Sequence, residues 1–289
     1  MSEFVSQFIP EPHLAYNWMI VAYFFLGGLS AGAYLLSVAA NRWLKDSKPL
    51  ARNAALVAPL AMIPGFLLLV FDLGNPLRSV YLGLYFNPTS VLSWGSIFLG
   101  VFFGISALNA LAHWWKTGPW EALAQKLNVL GVPCAIVVAG YTGILLNSAP
   151  GTVLWHNALL PVLFLNGGLI SGIAVTILVS PGGAGKCVQS KLGRVVAGLV
   201  VLELLMVIAE MIMLSGGGVH SAEAAHALMA GPFSGMFWGI QIVCGAVIPI
   251  LIFATGTTNR VLRVLASLLV SIGVYAMRHI VVIGGQIIG

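Results

Sequence analysis

YNWMIVAYFFLGGLSAGAYLLSVAAN, residues 16–41, runs for 26 positions without an Asp, Glu, Lys or Arg. A helix rises about 1.5 Å per residue, so a stretch of this length crosses the roughly 30 Å hydrocarbon core of a bilayer. Seven further predominantly apolar runs of about this length lie near 53–73, 90–115, 127–147, 157–180, 193–215, 234–255 and 261–288. Pro, Gly and charge punctuate them, at Lys45 to Pro49, Gly74 to Pro76, Gly118-Pro119, Pro150-Gly151, Pro181 to Lys186, Gly216 to Gly218 and Thr257 to Arg260. Backbone polar groups in hydrocarbon must be satisfied within their own segment. The expected fold is therefore an all-α integral membrane bundle of eight transmembrane helices.

Composition points the same way. Charged residues are 7% of the 289, apolar residues 59%, and mean hydropathy is +1.00. Soluble domains carry roughly 25% charge, because a water-facing surface needs it. The net charge of +5 does not signal nucleic acid, since the basic residues fill short gaps between apolar runs. Cys134, Cys187 and Cys244 form no CxxC pair and each falls in or beside an apolar run, so all three are expected to be inert core residues without a cluster or metal. The first fifteen residues hold Glu3 and Glu11 and no cation, which argues against a cleaved signal peptide.

The cations also orient the chain. Arg42, Lys45, Lys48 and Arg52 share one side with Lys116 and Lys126, with Lys186, Lys191 and Arg194, and with Arg260 and Arg263. Those are eleven of the thirteen basic residues; the other side has Arg78 alone, and Arg278 lies inside the last run. The positive-inside rule makes the first side cytoplasmic. Loops 74–89, 148–156 and 216–233 and both termini are then expected outside, in the periplasm if the membrane is a bacterial inner (cytoplasmic) membrane.

An internal echo suggests how eight spans are built. Gly27-Gly28-Leu29-Ser30-Ala31-Gly32 in the first run and Gly167-Gly168-Leu169-Ile170-Ser171-Gly172 in the fifth share GGLxxG, 140 residues apart. Asp72 and Glu210 recur 138 apart in the second and sixth. Duplication of a four-helix unit would give two four-helix bundles. Residues 1–126 with 127–150 would form the first half, and 151–289 the second. Whether or not the halves are copies, small residues at this spacing let helices pack closely.

Ionisable residues within spans are costly and usually face the bundle interior or a hydrated path. Here they are Asp72, Glu203, Glu210, Arg278 and His279. Buried ion pairs, such as Arg278 with Glu210, are one reading; a proton path or polar pocket is the other. Further polar groups collect on the outward side: His13 and Asn17, Asn75 and Arg78, Tyr141, Trp155-His156-Asn157, His220 and His226. Haem ligation by paired histidines is disfavoured, because only His279 lies well inside a span. A transporter would be expected to use broken helices, for which Pro64-Gly65 is the one candidate. A quinone pocket, which needs an apolar slot with Tyr, His or Asn donors near the interface, fits the outward set best.

Several motifs together resemble the NrfD/PsrC family of polysulfide reductase-type and nitrite reductase-type membrane subunits. They are Phe25-Leu26-Gly27-Gly28-Leu29-Ser30-Ala31-Gly32-Ala33-Tyr34-Leu35; Asp72-Leu73-Gly74-Asn75-Pro76-Leu77-Arg78; and Phe86-Asn87-Pro88-Thr89-Ser90 with Ser93-Trp94-Gly95. Tyr141-Thr142-Gly143, Leu160-Pro161-Val162-Leu163-Phe164 and Arg278-His279-Ile280 through Gln286 follow in order. The resemblance implies a quinone-interacting membrane anchor of a respiratory oxidoreductase, with no haem or metal in this subunit. Menaquinone or ubiquinone would exchange electrons with an iron–sulfur partner on the outer face. A molybdopterin catalytic subunit or a multihaem cytochrome would complete the complex. Carried over by motif, the quinone-binding residues would be His13, Asn17, Tyr141, Asp72 and Arg78. Glu203 and Glu210, two turns apart on one helix face, could form a proton path with Arg278 and His279. An anchoring or transporter-like bundle without a quinone site is the alternative.

Overall fold

The computed structural model describes residues 16–44, 47–72, 87–115, 118–149, 152–180 and 185–288. Its helices are α1 Trp18–Trp43, α2 Lys48–Asp72, α3 Val91–Trp115, α4 Gly118–Asn147, α5 Leu160–Val179, α6 Lys186–Gly216, α7 Val219–Met229, α8 Gly235–Ala254 and α9 Arg260–Ile287. Among the described residues, eight of these, all but α7, are long and apolar enough to cross a membrane. The protein is multi-pass and all-helical.

Three boundaries and one element differ from expectation. Helix α2 starts at Lys48 rather than 53, α4 at Gly118 rather than 127, and α6 at Lys186 rather than 193. An apolar run marks the hydrocarbon thickness, whereas the helix continues outward into the headgroup zone, where Lys and Arg can keep their charges wet. Helix α7, within the 216–233 loop, was not expected, because only Ala224, Ala225 and Leu228 form its buried face. Three small or single apolar side chains make no run. Cys187 is also a correction: it is exposed at the start of α6, while Cys134 is buried.

Helix α1 packs on α2 and α4, and α3 closes the circuit by touching both. Helices α5, α6, α8 and α9 close a second circuit in the same order. Within the first, Ser30 and Ser37 on one face of α1 donate to the backbone oxygens of Ala58 (2.6 Å) and Ala51 (2.9 Å) on α2. Ala51, Ala54, Ala55 and Ala58 are buried at this contact. Without a hydrophobic drive between helices in lipid, such close approach and hydrogen bonding supply the association.

The circuits meet along α1 and α5, and the two GGLxxG segments are the meeting place. A Cβ on Gly28 would stand 3.3 Å from the Gly168 Cα, and one on Gly168 would stand 2.9 Å from the Gly28 oxygen. A Cβ on Gly32 would strike the Gly168 oxygen, and one on Gly172 the backbone of Gly32 and Ala33. Arg278 of α9 enters this crossing with 0% exposure. Its Nη1 donates to the Phe24 oxygen (2.7 Å) and its Nη2 to the Phe164 oxygen (2.9 Å), carbonyls 140 residues apart. The guanidinium carbon also lies 4.6 Å from the Phe164 ring centroid. The expected ion pair with Glu210 is not formed: no carboxylate lies within ion-pair distance of Arg278 among the described residues. Backbone oxygens take the place of an acid.

Gly32→Ala must push α1 and α5 apart against backbone, an overpacking cost of about 1–3 kcal/mol. Its melting temperature in mild detergent should fall by several degrees. Gly27→Ala, whose Cβ would meet nothing within 4 Å, should leave it unchanged. Equal melting of the two variants would show that the crossing is not tight.

Candidate functional site

The end of the bundle opposite the basic loops gathers Tyr16, Asn17, Asp72 and Tyr141. Asn17 caps α1, its Oδ1 accepting from the Met19 N–H at 2.7 Å, and its side chain stands beside Asp72 at the last turn of α2. Tyr16 is held by its backbone, which exchanges hydrogen bonds of 2.8 and 2.9 Å with the Gln286 amide of α9. Its ring lies edge-on to Trp155 at 5.7 Å. Burial pushes the Tyr16 phenol up from its ordinary range, so it remains a neutral donor.

Tyr141 of α4 is buried next to this group, with Tyr16 and Tyr23 as its neighbouring phenols. The place its ring occupies exists because residue 95 of α3 is glycine; a Cβ there would fall on the Tyr141 ring and hydroxyl. Two residues beyond, Gly143 lets α4 close on α5, where a Cβ would stand 2.6 Å from the Pro161 Cα. The Ser93-Trp94-Gly95, Tyr141-Thr142-Gly143 and Leu160-Pro161 motifs are thus one packed unit. Trp155 completes the wall by donating to the Val281 oxygen at 2.8 Å. That carbonyl lies in a π-helical turn, Ile280–Gly284, whose altered hydrogen-bond register leaves an oxygen open to a side-chain donor. Three neutral phenols, an amide and a carboxylate, walled by aromatic rings, can donate to the oxygens of a flat apolar ligand and accept a proton from it.

Of the quinone-binding residues expected from the sequence, Asn17, Asp72 and Tyr141 fall at this end. His13 and Arg78 lie outside the described residues. Tyr16, just before the Asn17 cap, and Tyr23 on α1 were missed; no spacing in the sequence tied either to Tyr141.

The second circuit holds the other acids. Glu203 and Glu210 are buried on α6. Glu210 lines a cavity of about 20 Å³ with Gln241, Met277, Ile280 and Val281, and Asn157 stands beside its carboxylate. Glu203 lines a second cavity, of about 10 Å³, with Gln241 again and Gly273. Gln241 therefore borders both acids, from a π-helical stretch of α8, Gly235–Val247. An uncharged amide within an apolar run gives no ionisable signal, which is why the sequence did not single it out. One Glu210 oxygen has no hydrogen-bond partner, and a cavity of ~15 Å³ or more can hold a water that would supply one. Arg278 is near enough to Glu203 to act on it electrostatically, without contact. His279 is not part of this group; it lies half-buried beside Tyr275, ring centroids 6.3 Å apart.

Comparison with known proteins agrees with this architecture. The family described as polysulphide reductase, NrfD, matches residues 10–289. The protein is 30% identical to the C subunit of the polysulfide reductase of Wolinella succinogenes, over 94% of its own length and 95% of that subunit. It is 27% identical to protein NrfD of Escherichia coli, over 95% and 96% respectively. It is 28% identical to the Hdr-like menaquinol oxidoreductase integral membrane subunit of Archaeoglobus fulgidus, over 90% of its own length and 68% of that subunit. Matched along almost its whole length and built of eight membrane-spanning helices, the chain belongs to the NrfD family.

Proposed function

We propose that this protein is the quinone-interacting membrane subunit of a respiratory reductase complex, passing electrons between the quinone pool and an iron–sulfur partner. The observation that carries the reading is the gathering of Tyr16, Tyr23 and Tyr141 with Asn17 and Asp72 at one end of the bundle, among aromatic walls. The names of relatives support it, one being a menaquinol oxidoreductase subunit and another a polysulfide reductase subunit. Menaquinone or ubiquinone would be the bound substrate. Tyr141 would hydrogen-bond one ring oxygen and Asn17 would serve as second donor, with His13 and Arg78 at the mouth. Oxidation of a quinol releases two electrons and two protons; the electrons would pass to the iron–sulfur partner, and Asp72 would be the first proton acceptor.

The positive-inside rule places the basic end in the cytoplasm, and so this site and both termini at the periplasmic face of the inner membrane. A docked iron–sulfur subunit would sit there, with a molybdopterin subunit or a multihaem cytochrome beyond it. The contact of the two GGLxxG segments and the two similar helix circuits support an origin by duplication of a four-helix unit. Glu203, Gln241 and Glu210, bordering two small cavities, would carry protons through the second circuit, with Arg278 setting the local field.

Tyr141→Phe keeps the ring over Gly95 and removes only the hydroxyl. A lost ligand hydrogen bond of about 1.4 kcal/mol is tenfold, so quinol-linked turnover of the assembled complex should fall about tenfold in kcat/KM. Unchanged turnover would remove Tyr141 from the site. Glu210→Gln should abolish proton uptake from the cytoplasmic side and the membrane potential it generates, while electron transfer to a soluble acceptor continues. A full membrane potential in that variant would rule out the path.

A further inference from the structure

A second cavity, of about 400 Å³, opens at the basic end among α1, α2, α3 and α4, away from the phenol cluster. Its volume is within the ~300–1,000 Å³ range of ligand pockets. Lys48 and Arg52, one turn apart on α2, and His113 of α3 line it with Asn109, Gln125 and Asn128. No carboxylate lines it among the described residues. The Arg52 guanidinium carbon is parked 4.9 Å from the Trp114 ring centroid, and its Nε is buried without a hydrogen-bond partner. Stacking on the indole fixes the plane of the guanidinium fork.

The scaffold hydrogen bonds leave donors facing the space. The Asn128 Oδ1 accepts from the Tyr34 hydroxyl at 2.6 Å, so its free group is the NH2. His113 Nδ1 is 2.9 Å from the Asn109 backbone oxygen, which can only accept. Nδ1 therefore carries the hydrogen and is spent on that carbonyl. The first turn of α2 adds the positive end of its dipole. Among the described residues, two cations and an amide NH2 converge with no carboxylate beside them, at the end of the bundle where lipid headgroups lie.

We propose that this cavity is a binding site for a phosphate anion, carried by an anionic phospholipid headgroup or by a soluble phosphate. Arg52 grips the phosphate with the charge of Lys48 behind it, while the Asn128 amide donates to a remaining oxygen and His113 walls the cavity. The site makes the first four helices sensitive to the lipid of the basic leaflet.

The test is made on the full-length protein in an uncharged detergent after delipidation. Phosphatidylglycerol, phosphatidylcholine and sodium phosphate are titrated separately, following the melting temperature and the adducts retained in native mass spectrometry. Phosphatidylglycerol should be retained in preference to phosphatidylcholine and should raise the melting temperature by several degrees. Arg52→Gln and, independently of its folding, Lys48→Gln should weaken that binding at least tenfold, with Arg52→Lys intermediate. Saturable stabilisation by sodium phosphate without retention of lipid, lost in the same variants, would identify the soluble source. Equal retention of both lipids with no response to phosphate, or unchanged binding in both Gln variants, would overturn the proposal.

Discussion

Arg278 sits where helices α1, α5 and α9 meet, and its two terminal nitrogens are spent on the Phe24 and Phe164 carbonyls. A charge at this depth costs several kcal/mol unless its donors are satisfied. Helical carbonyls are already bonded along the helix but keep a second lone pair, and only a close approach can reach it. Gly28 and Gly168, one turn beyond Phe24 and Phe164, provide that approach: a Cβ on Gly28 would lie 2.5 Å from Arg278 Nη2. The glycine crossing and the buried guanidinium are therefore one device. Each helix offers the same face of the same motif, and the cation joins them where neither offers a side chain. The positions of the phenol cluster above it and of Glu203 beside it follow from where α1 and α9 are pinned.

Much of this was legible in the amino-acid sequence. Eight spans followed from long, predominantly apolar runs, because hydrocarbon thickness is a direct constraint on length. The glycines of GGLxxG read as packing residues, and four of the six, Gly28, Gly32, Gly168 and Gly172, are packed backbone to backbone. What could not be read was the partner of Arg278. An ion pair with Glu210 was the natural expectation, since side-chain charges are visible in a sequence and free lone pairs on carbonyls are not. Helix α7 was hidden for a related reason, its buried face being two alanines and a leucine. Tyr141 was found through its motif, but the reason it fits, the missing Cβ of Gly95, depends on a neighbour 46 positions away. Tyr16, Tyr23 and Gln241 were each visible as polar residues near or within apolar runs. Their meaning came only with the packing that brought them to Tyr141 and to the two glutamates.

The bundle separates two kinds of chemistry along its axis. Among the described residues, one end presents phenols, an amide and a carboxylate in aromatic surroundings, suited to a ligand that gains or loses electrons with protons. The other carries the described cations apart from Arg278, and an open cavity lined by Lys48 and Arg52. Between them, the second helix circuit holds two buried acids bridged by a glutamine, while the first circuit is packed with small residues. Two similar circuits thus carry different loads.

Photolabelling of the assembled complex in native membranes with an azido-quinone, followed by peptide mapping, tests the central claim directly. Labels removed by excess unmodified quinone should fall on the segments around Tyr16 to Tyr23 and Tyr141, at the end opposite the basic loops. Competed labels confined to the cavity around Arg52 and His113, or no competed label on this protein at all, would contradict a quinone site at the phenol cluster.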